Sequence, residues 1–214
     1  MGDSFPAVQG KVIVERLIEM IHENRGYLSE IDGAIGDGDH GINMDKGFTL
    51  VEKAIAGCEM GMSEALKVLG STLVEEIGGS MGPLYGTFFR KMARASRGVE
   101  EIDSGVLEAM LSGAYEGIGS LGDAKVGDKT LVDTLEPAVS AVREARAAGT
   151  GFAGTIDAMI TAAEGGWRST KDLVAKVGRA SRLGERSLGT VDAGATSCYL
   201  ILRTLGETMK ELAG

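Results

Sequence analysis

Apolar residues recur at three- and four-residue spacing along almost the whole chain, and that period commits the sequence to amphipathic helices. The first stripe is Ile13, Leu17, Met20 and Ile21, and the second is Met44, Phe48, Val51 and Ile55. Met62, Leu66, Leu69 and Leu73 follow, then Leu84, Phe88 and Met92, then Val106, Met110, Leu111, Ala114 and Ile118. The series continues through Leu131, Leu135, Val139 and Val142, and through Phe152, Ile156, Met159 and Ala163, and ends at Cys198, Leu202, Leu205, Met209 and Leu212. Eight stripes predict eight helices. No alternating apolar and polar run marks a strand. Pro83 falls at a helix start, and Pro137 lies inside the helix predicted to begin near Thr130, close enough to its first turns to be tolerated or to kink it. With no internal repeat and no Pro/Ser-rich linker, residues 1–214 read as a single all-α domain, and Met1 to Gly10 as a frayed lead-in.

A chain of 214 residues is long enough to bury a sizeable core. Its formal net charge of −9 and pI near 4.8 argue against electrostatic attraction to nucleic acid or an anionic membrane. Cys58 and Cys198 have no CxxC spacing and read as buried, reduced thiols, which points to the cytoplasm. No charged leader precedes an apolar run, and the longest apolar stretches fall far short of the roughly 18 residues that span a bilayer.

The breaks between stripes carry the chemistry. Asp32, Asp37 and Asp39 lie within eight positions, in a stretch that continues IGDGDHGINMDKGF from Ile35 to Phe48. Two carboxylates about 4 Å apart repel by about 4 kcal/mol at an effective dielectric near 20, so three that converge need a cation. Residues two apart are not aligned along a helix face, so in a helical chain the convergence of Asp37 and Asp39 requires a loop. Gly36, Gly38 and Gly41 give the backbone that freedom. An all-oxygen cluster that leaves positions for water and phosphate suits magnesium better than calcium. An EF-hand is excluded, because Ile42 and Phe48 stand where that loop needs its glycine and its bidentate glutamate. On the loop alone, an acidic cap on a helix starting near Asn43 is an equal reading.

Gly78, Gly79 and Gly82 surround Ser80 and Met81 ahead of the helix through Tyr85 and Phe88, a pattern that offers backbone N–H groups to phosphate or simply makes a turn. Gly122 to Thr130, GDAKVGDKT, resembles a P-loop but has Asp128 before Lys129 and Thr130 and no preceding strand, so a Walker A site is rejected. Between Val177 and Thr196, Arg179, Arg182 and Arg186 offer forked donors to phosphate oxygens or to surface acids, and Asp192 reads as the cap of the last helix. His22 reads as a partly exposed helix residue without a role. His40 follows the aspartates, whose charges favour an imidazolium able to donate to phosphate.

Taken in order, GDGDHGINMDKGF, GGSMGPLYGTFF, VGDKTLVDTLEP, GRASRLGERS and DAGATS cover nearly the whole chain and closely resemble the family of DhaL, the nucleotide-binding subunit of dihydroxyacetone kinase. The resemblance implies an antiparallel barrel of eight helices, with ADP or ATP at one rim and two Mg2+ ions between its phosphates and Asp32, Asp37 and Asp39. It further implies that His40, Gly41, Ile42 and Asn43 line the nucleotide and that Ser80 and Met81 lie in a phosphate-facing loop. Gly122 and Leu131 would pack near the adenine, while Arg179 and the turn of Asp192, Ala193 and Gly194 would close the site. Two departures are visible: many relatives have Ser or Thr at Met81, and often Asp-Pro-Gly in place of Asp192, Ala193 and Gly194.

The chain itself shows no sugar site. The resemblance implies that the ketose, and any acid–base groups acting on it, are held on a separate DhaK-like subunit, with a DhaM-like subunit as phosphoryl donor in the phosphoenolpyruvate-dependent type. An ATP-dependent two-subunit kinase for a related ketose such as erythrulose stays open, as does a homodimer. So does a regulatory module that binds nucleotide or lipid, although the helical domains of fatty-acid kinases that it would resemble carry threonine at the position of His40.

Overall fold

The structure is a computed structural model that describes residues 2–214. Eight α-helices form where the eight stripes predict them: α1 (Lys11–Ile35), α2 (His40–Ile55), α3 (Met62–Glu76), α4 (Met81–Ala95), α5 (Ser104–Gly119), α6 (Val132–Ala147), α7 (Phe152–Ser169) and α8 (Ala193–Ala213). Each helix packs against its neighbours in sequence, and α8 returns against α1, so the helices close into a ring. The stripes face inward and make one contiguous core. Leu17, Phe48, Leu69, Phe88, Val142, Ile156 and Leu202 are all fully buried. Phe88 and Phe89 meet edge to face at 5.0 Å, and Phe48 meets Phe89 at 6.3 Å, so α2 and α4 interlock through aromatic contacts as well as area.

Short connections make successive helices antiparallel, and this alternation sorts the loops. The connections after α1, α3, α5 and α7 emerge at one rim, where α2, α4, α6 and α8 all begin. The connections after α2, α4 and α6 lie at the opposite rim.

Two expectations fail at that opposite rim. Ser4–Pro6 (β1) pairs antiparallel with Glu101–Asp103 (β2), and the lead-in is therefore an ordered part of the fold; Met1 lies outside the described residues. Phe5 is buried against Phe152, with ring centroids 6.3 Å apart, and Ala7 N–H donates to the Glu100 carbonyl at 2.8 Å. Strands of three residues present only one inward position each, Phe5 and Ile102, which is too little to register as alternation. Cys58 is exposed, because it follows the end of α2 and is not on its buried face; Cys198 is buried on α8 as predicted.

Pro137 is accommodated within α6. Its missing N–H frees the carbonyl of Asp133, and α7 brings Gly166 against that oxygen so closely that a Cβ there would come within 2.0 Å. No helix among the described residues is long and apolar enough to cross a membrane.

Candidate functional site

Asp32 belongs to the last turn of α1, and Asp37 and Asp39 to the connection that leads into α2. Gly38 turns that connection at φ +79°, a conformation costly for any residue with a side chain. Gly41 then seats the start of α2 directly on α1, since a Cβ at this position would come within 2.1 Å of the Arg25 carbonyl oxygen. The result brings one oxygen from each of the three carboxylates within 4.8 Å of the others. Among the described residues this is the one such cluster of possible metal ligands.

Arg179, from the long connection between α7 and α8, donates to Asp37 and to Asp39, the latter at 3.3 Å. Desolvation pushes the Asp37 pKa upward, but the hydrogen bond and charge of Arg179, with smaller help from its own backbone and Asp39, hold it below the ordinary carboxylate value. The triad thus already attracts a cationic group. Its donors are oxygens alone, which fits a hard divalent cation.

The triad opens into a cavity of about 810 Å³ at the rim where the even-numbered helices begin. His40 and Asn43 line it from α2, Ser80 and Met81 from the start of α4, Gly122 and Leu131 from the connection between α5 and α6, Arg179 from the α7–α8 connection, and Asp192, Ala193 and Gly194 from the start of α8. Gly41 and Ile42 do not line the cavity: Gly41 is buried against α1, and the Ile42 side chain is exposed. Arg182 and Arg186 are exposed, and of the three arginines only Arg179 reaches the cavity. The wall also includes Ile118, Leu121, Leu84 and Val132, an apolar side suited to a flat base.

Helix N-termini concentrate positive potential and free N–H groups at this rim. Neither α2 nor α4 is capped by the side chain of its own N-cap residue; the His40 N–H of α2 donates to Asp32 at 3.3 Å, and the start of α4 at Ser80 and Met81 lines the cavity. On α8 the Asp192 carboxylate accepts from Ala195 N–H at 2.8 Å. Burial pushes the Asp192 pKa up to about 6, against the opposing effects of that N–H and of Lys129.

The protonated His40 expected from its acidic neighbours is corrected by its surroundings. Burial lowers its pKa and outweighs the opposing charges of Asp32 and Asp39, so the neutral imidazole is favoured. Its ring Nε2 shares a hydrogen bond with Ser197 Oγ at 2.8 Å, and Ser197 Oγ shares another with the Tyr85 hydroxyl at 2.6 Å. Tyr85 also donates to the Gly194 carbonyl at 3.1 Å, and burial keeps its phenol neutral. This chain of contacts joins α2, α4 and α8 beneath the cavity. The His40–Ser197 contact spans 157 residues, and periodicity holds no trace of such a separation. The near-miss P-loop likewise behaves as a loop: Lys129 Nζ donates to backbone carbonyls of the α7–α8 connection.

A closed ring of helices with a cation-competent acidic cavity at one rim defines the class of protein. The chain belongs to the DAK2 domain family, whose profile matches residues 34–207. It is 39% identical to the "PEP-dependent dihydroxyacetone kinase 1, ADP-binding subunit DhaL" of Listeria innocua, over 89% of this chain and 90% of that one. It is 38% identical to the subunit of the corresponding name in Escherichia coli, over 86% of this chain and 89% of that one. It is also 33% identical to a D-erythrulose kinase of Mycolicibacterium smegmatis, over 90% of this chain but only 34% of that longer protein. The solved dihydroxyacetone kinase of C. freundii in complex with AMP-PNP and Mg2+ shares the fold, with a TM-score of 0.71 at 22% identity over 97% of this chain and 35% of that one.

Proposed function

We propose that this chain, as one domain across residues 1–214, is the ADP- or ATP-binding subunit of a dihydroxyacetone kinase and delivers a phosphoryl group to a ketose held on a separate DhaK-like subunit. The observation that carries the reading is the meeting of three carboxylates with the N-termini of α2 and α4 at the mouth of one cavity. Carboxylates alone would repel a nucleotide, and helix N-termini alone would not need them. Together they suit a polyphosphate that arrives with divalent cations.

Asp32, Asp37 and Asp39 would hold two Mg2+ ions, which would neutralise phosphate charge as the bond to the transferred group loosens. The backbone N–H groups of Ser80 and Met81 orient the phosphates from the start of α4, with His40 and Asn43 beside them from α2. His40 stays neutral and is fixed by Ser197, so it positions and donates without adding charge. Gly122 and Leu131 cover the adenine, and the turn of Asp192, Ala193 and Gly194 closes the floor. Arg179 is placed to exchange its carboxylate partners for phosphate oxygens, to which its fork is equally matched. Acid–base groups that act on the sugar are assigned to the partner.

The match over 89% of this chain and 90% of a relative named as the ADP-binding subunit of a PEP-dependent kinase favours a phosphoenolpyruvate-dependent system with a DhaM-like donor. A second reading, an ATP-dependent kinase for a ketose such as erythrulose, draws on the D-erythrulose kinase relative. Nucleotide and magnesium content of protein purified without added ligand separates the two. Near-stoichiometric ADP with magnesium supports bound-cofactor use. Reversible uptake of ATP by nucleotide-free protein supports the second reading, and failure to bind either nucleotide with magnesium overturns both.

A further inference from the structure

Lys129 is 1% exposed and is the one non-glycine residue with positive φ, +63°, among those described. Each of these is costly: a buried ammonium loses its hydration, and the left-handed conformation brings the Cβ of a non-glycine residue too close to its own backbone. The conformation aims the side chain into the connection between α7 and α8. There Nζ donates to the carbonyls of Thr170 at 2.7 Å, Leu173 at 3.1 Å, Ser187 at 2.8 Å and Thr190 at 2.5 Å. Three protons shared among four carbonyls satisfy backbone acceptors from both ends of that connection at a single point.

The rest of the segment is organised around the same centre. Ser187 is buried and its Oγ accepts from Ala175 N–H at 2.9 Å, while Gly189 N–H donates to the Lys171 carbonyl at 2.8 Å. Thr170 Oγ1 accepts from Asp192 N–H at 3.0 Å, which links the segment to the start of α8. Between these ties lies Arg179, the segment's contact with the carboxylate triad.

We infer that Lys129 is a positioning residue: by gathering the carbonyls of residues 170–190 it holds the Arg179-bearing segment across the mouth of the cavity. The consequence for binding rests on the nucleotide reading above; the consequence for the segment does not. Lys129→Met keeps the backbone and removes the ammonium, whereas Lys129→Gly also relieves the backbone strain. In both variants, amide hydrogen exchange across 173–190 should quicken by about tenfold or more while the helices keep their protection. If the cost of φ were the whole story, Lys129→Gly would be as well protected as the parent, and that result overturns the inference.

Affinity for Mg-ADP should fall by about tenfold in either variant, and this loss should vanish in an Arg179→Ala background, because Lys129 acts through Arg179. A full loss in that background overturns the positioning role. If no form of the protein binds Mg-ADP, the nucleotide reading fails while the exchange result still decides the fate of the segment. Should neither variant fold, reductive methylation of the unaltered protein decides: Lys129 should stay unmodified while exposed Lys171 and Lys176 react, and equal reactivity overturns the inference.

Discussion

At the residue scale, the three aspartates have different amounts of company. Asp32 is anchored in α1 and accepts from the His40 backbone at 3.3 Å, whereas Asp37 and Asp39 are turned toward Arg179. Asp37→Asn should abolish magnesium-dependent phosphoryl transfer, by about 100-fold or more, and leave the helical circular dichroism unchanged; retention of full activity would remove the triad from the site. Asp192 gives a pH signature. Its folded pKa of about 6 exceeds the ordinary carboxylate value near 4, so the folded state binds the proton more tightly. That contribution to stability is fully present below about pH 4 and is lost as the pH rises through about 6. In urea titrations of nucleotide-free protein, the stability difference between the parent and Asp192→Asn should therefore move against the parent by on the order of 2 kcal/mol from pH 4 to pH 7. A pH-independent difference would show that Asp192 titrates normally. His40 marks a limit of sequence reading at this scale, because neighbouring charges are visible in a string of letters and burial is not.

At the scale of elements, the helices were legible because each needs only its own residues to declare a face. Leu135, Val139 and Val142 announce α6 without reference to any other part of the chain, and they are buried as a set. The β1–β2 pair was not legible, since its one buried residue per strand has meaning only once Phe5 has met Phe152. Helix-to-helix distance was partly written in glycine. Gly41→Ala should force α1 and α2 apart at the aspartate loop and cost about 1–3 kcal/mol, read as a lowered urea midpoint, with weaker Mg-ADP binding in the same variant. An unchanged midpoint would mean that the two helices separate freely there.

For the whole molecule, the ring gives each rim a different duty. One rim gathers the starts of four helices around an acidic cavity, and the other is tied by a β-ribbon and by Phe5. A ligand that binds only the folded ring should stabilise it in proportion to the logarithm of one plus its concentration over the dissociation constant, by about 2.7 kcal/mol at 100 times that constant, and so raise its melting temperature. Mg-ADP should produce that shift, magnesium or ADP alone should produce much less, and Asp37→Asn should suppress it. An equal shift from ADP alone would mean that the carboxylates are not where the cation acts. The candidate site was legible as separate loops, Asp32 to Asn43 among them, but their meeting at one rim depends on the up-and-down order of the helices. The contacts of His40 with Ser197 and of Lys129 with the α7–α8 segment could not be read from spacing at all.

The ends of the described chain lie together at the far rim, where Gly2 N–H donates to the carbonyl of Ala213 at the end of α8. A reporter dye, an affinity handle or a surface tether attached at either end therefore points away from the cavity mouth. Immobilised protein should present its open rim to solvent, where a second protein can approach unobstructed.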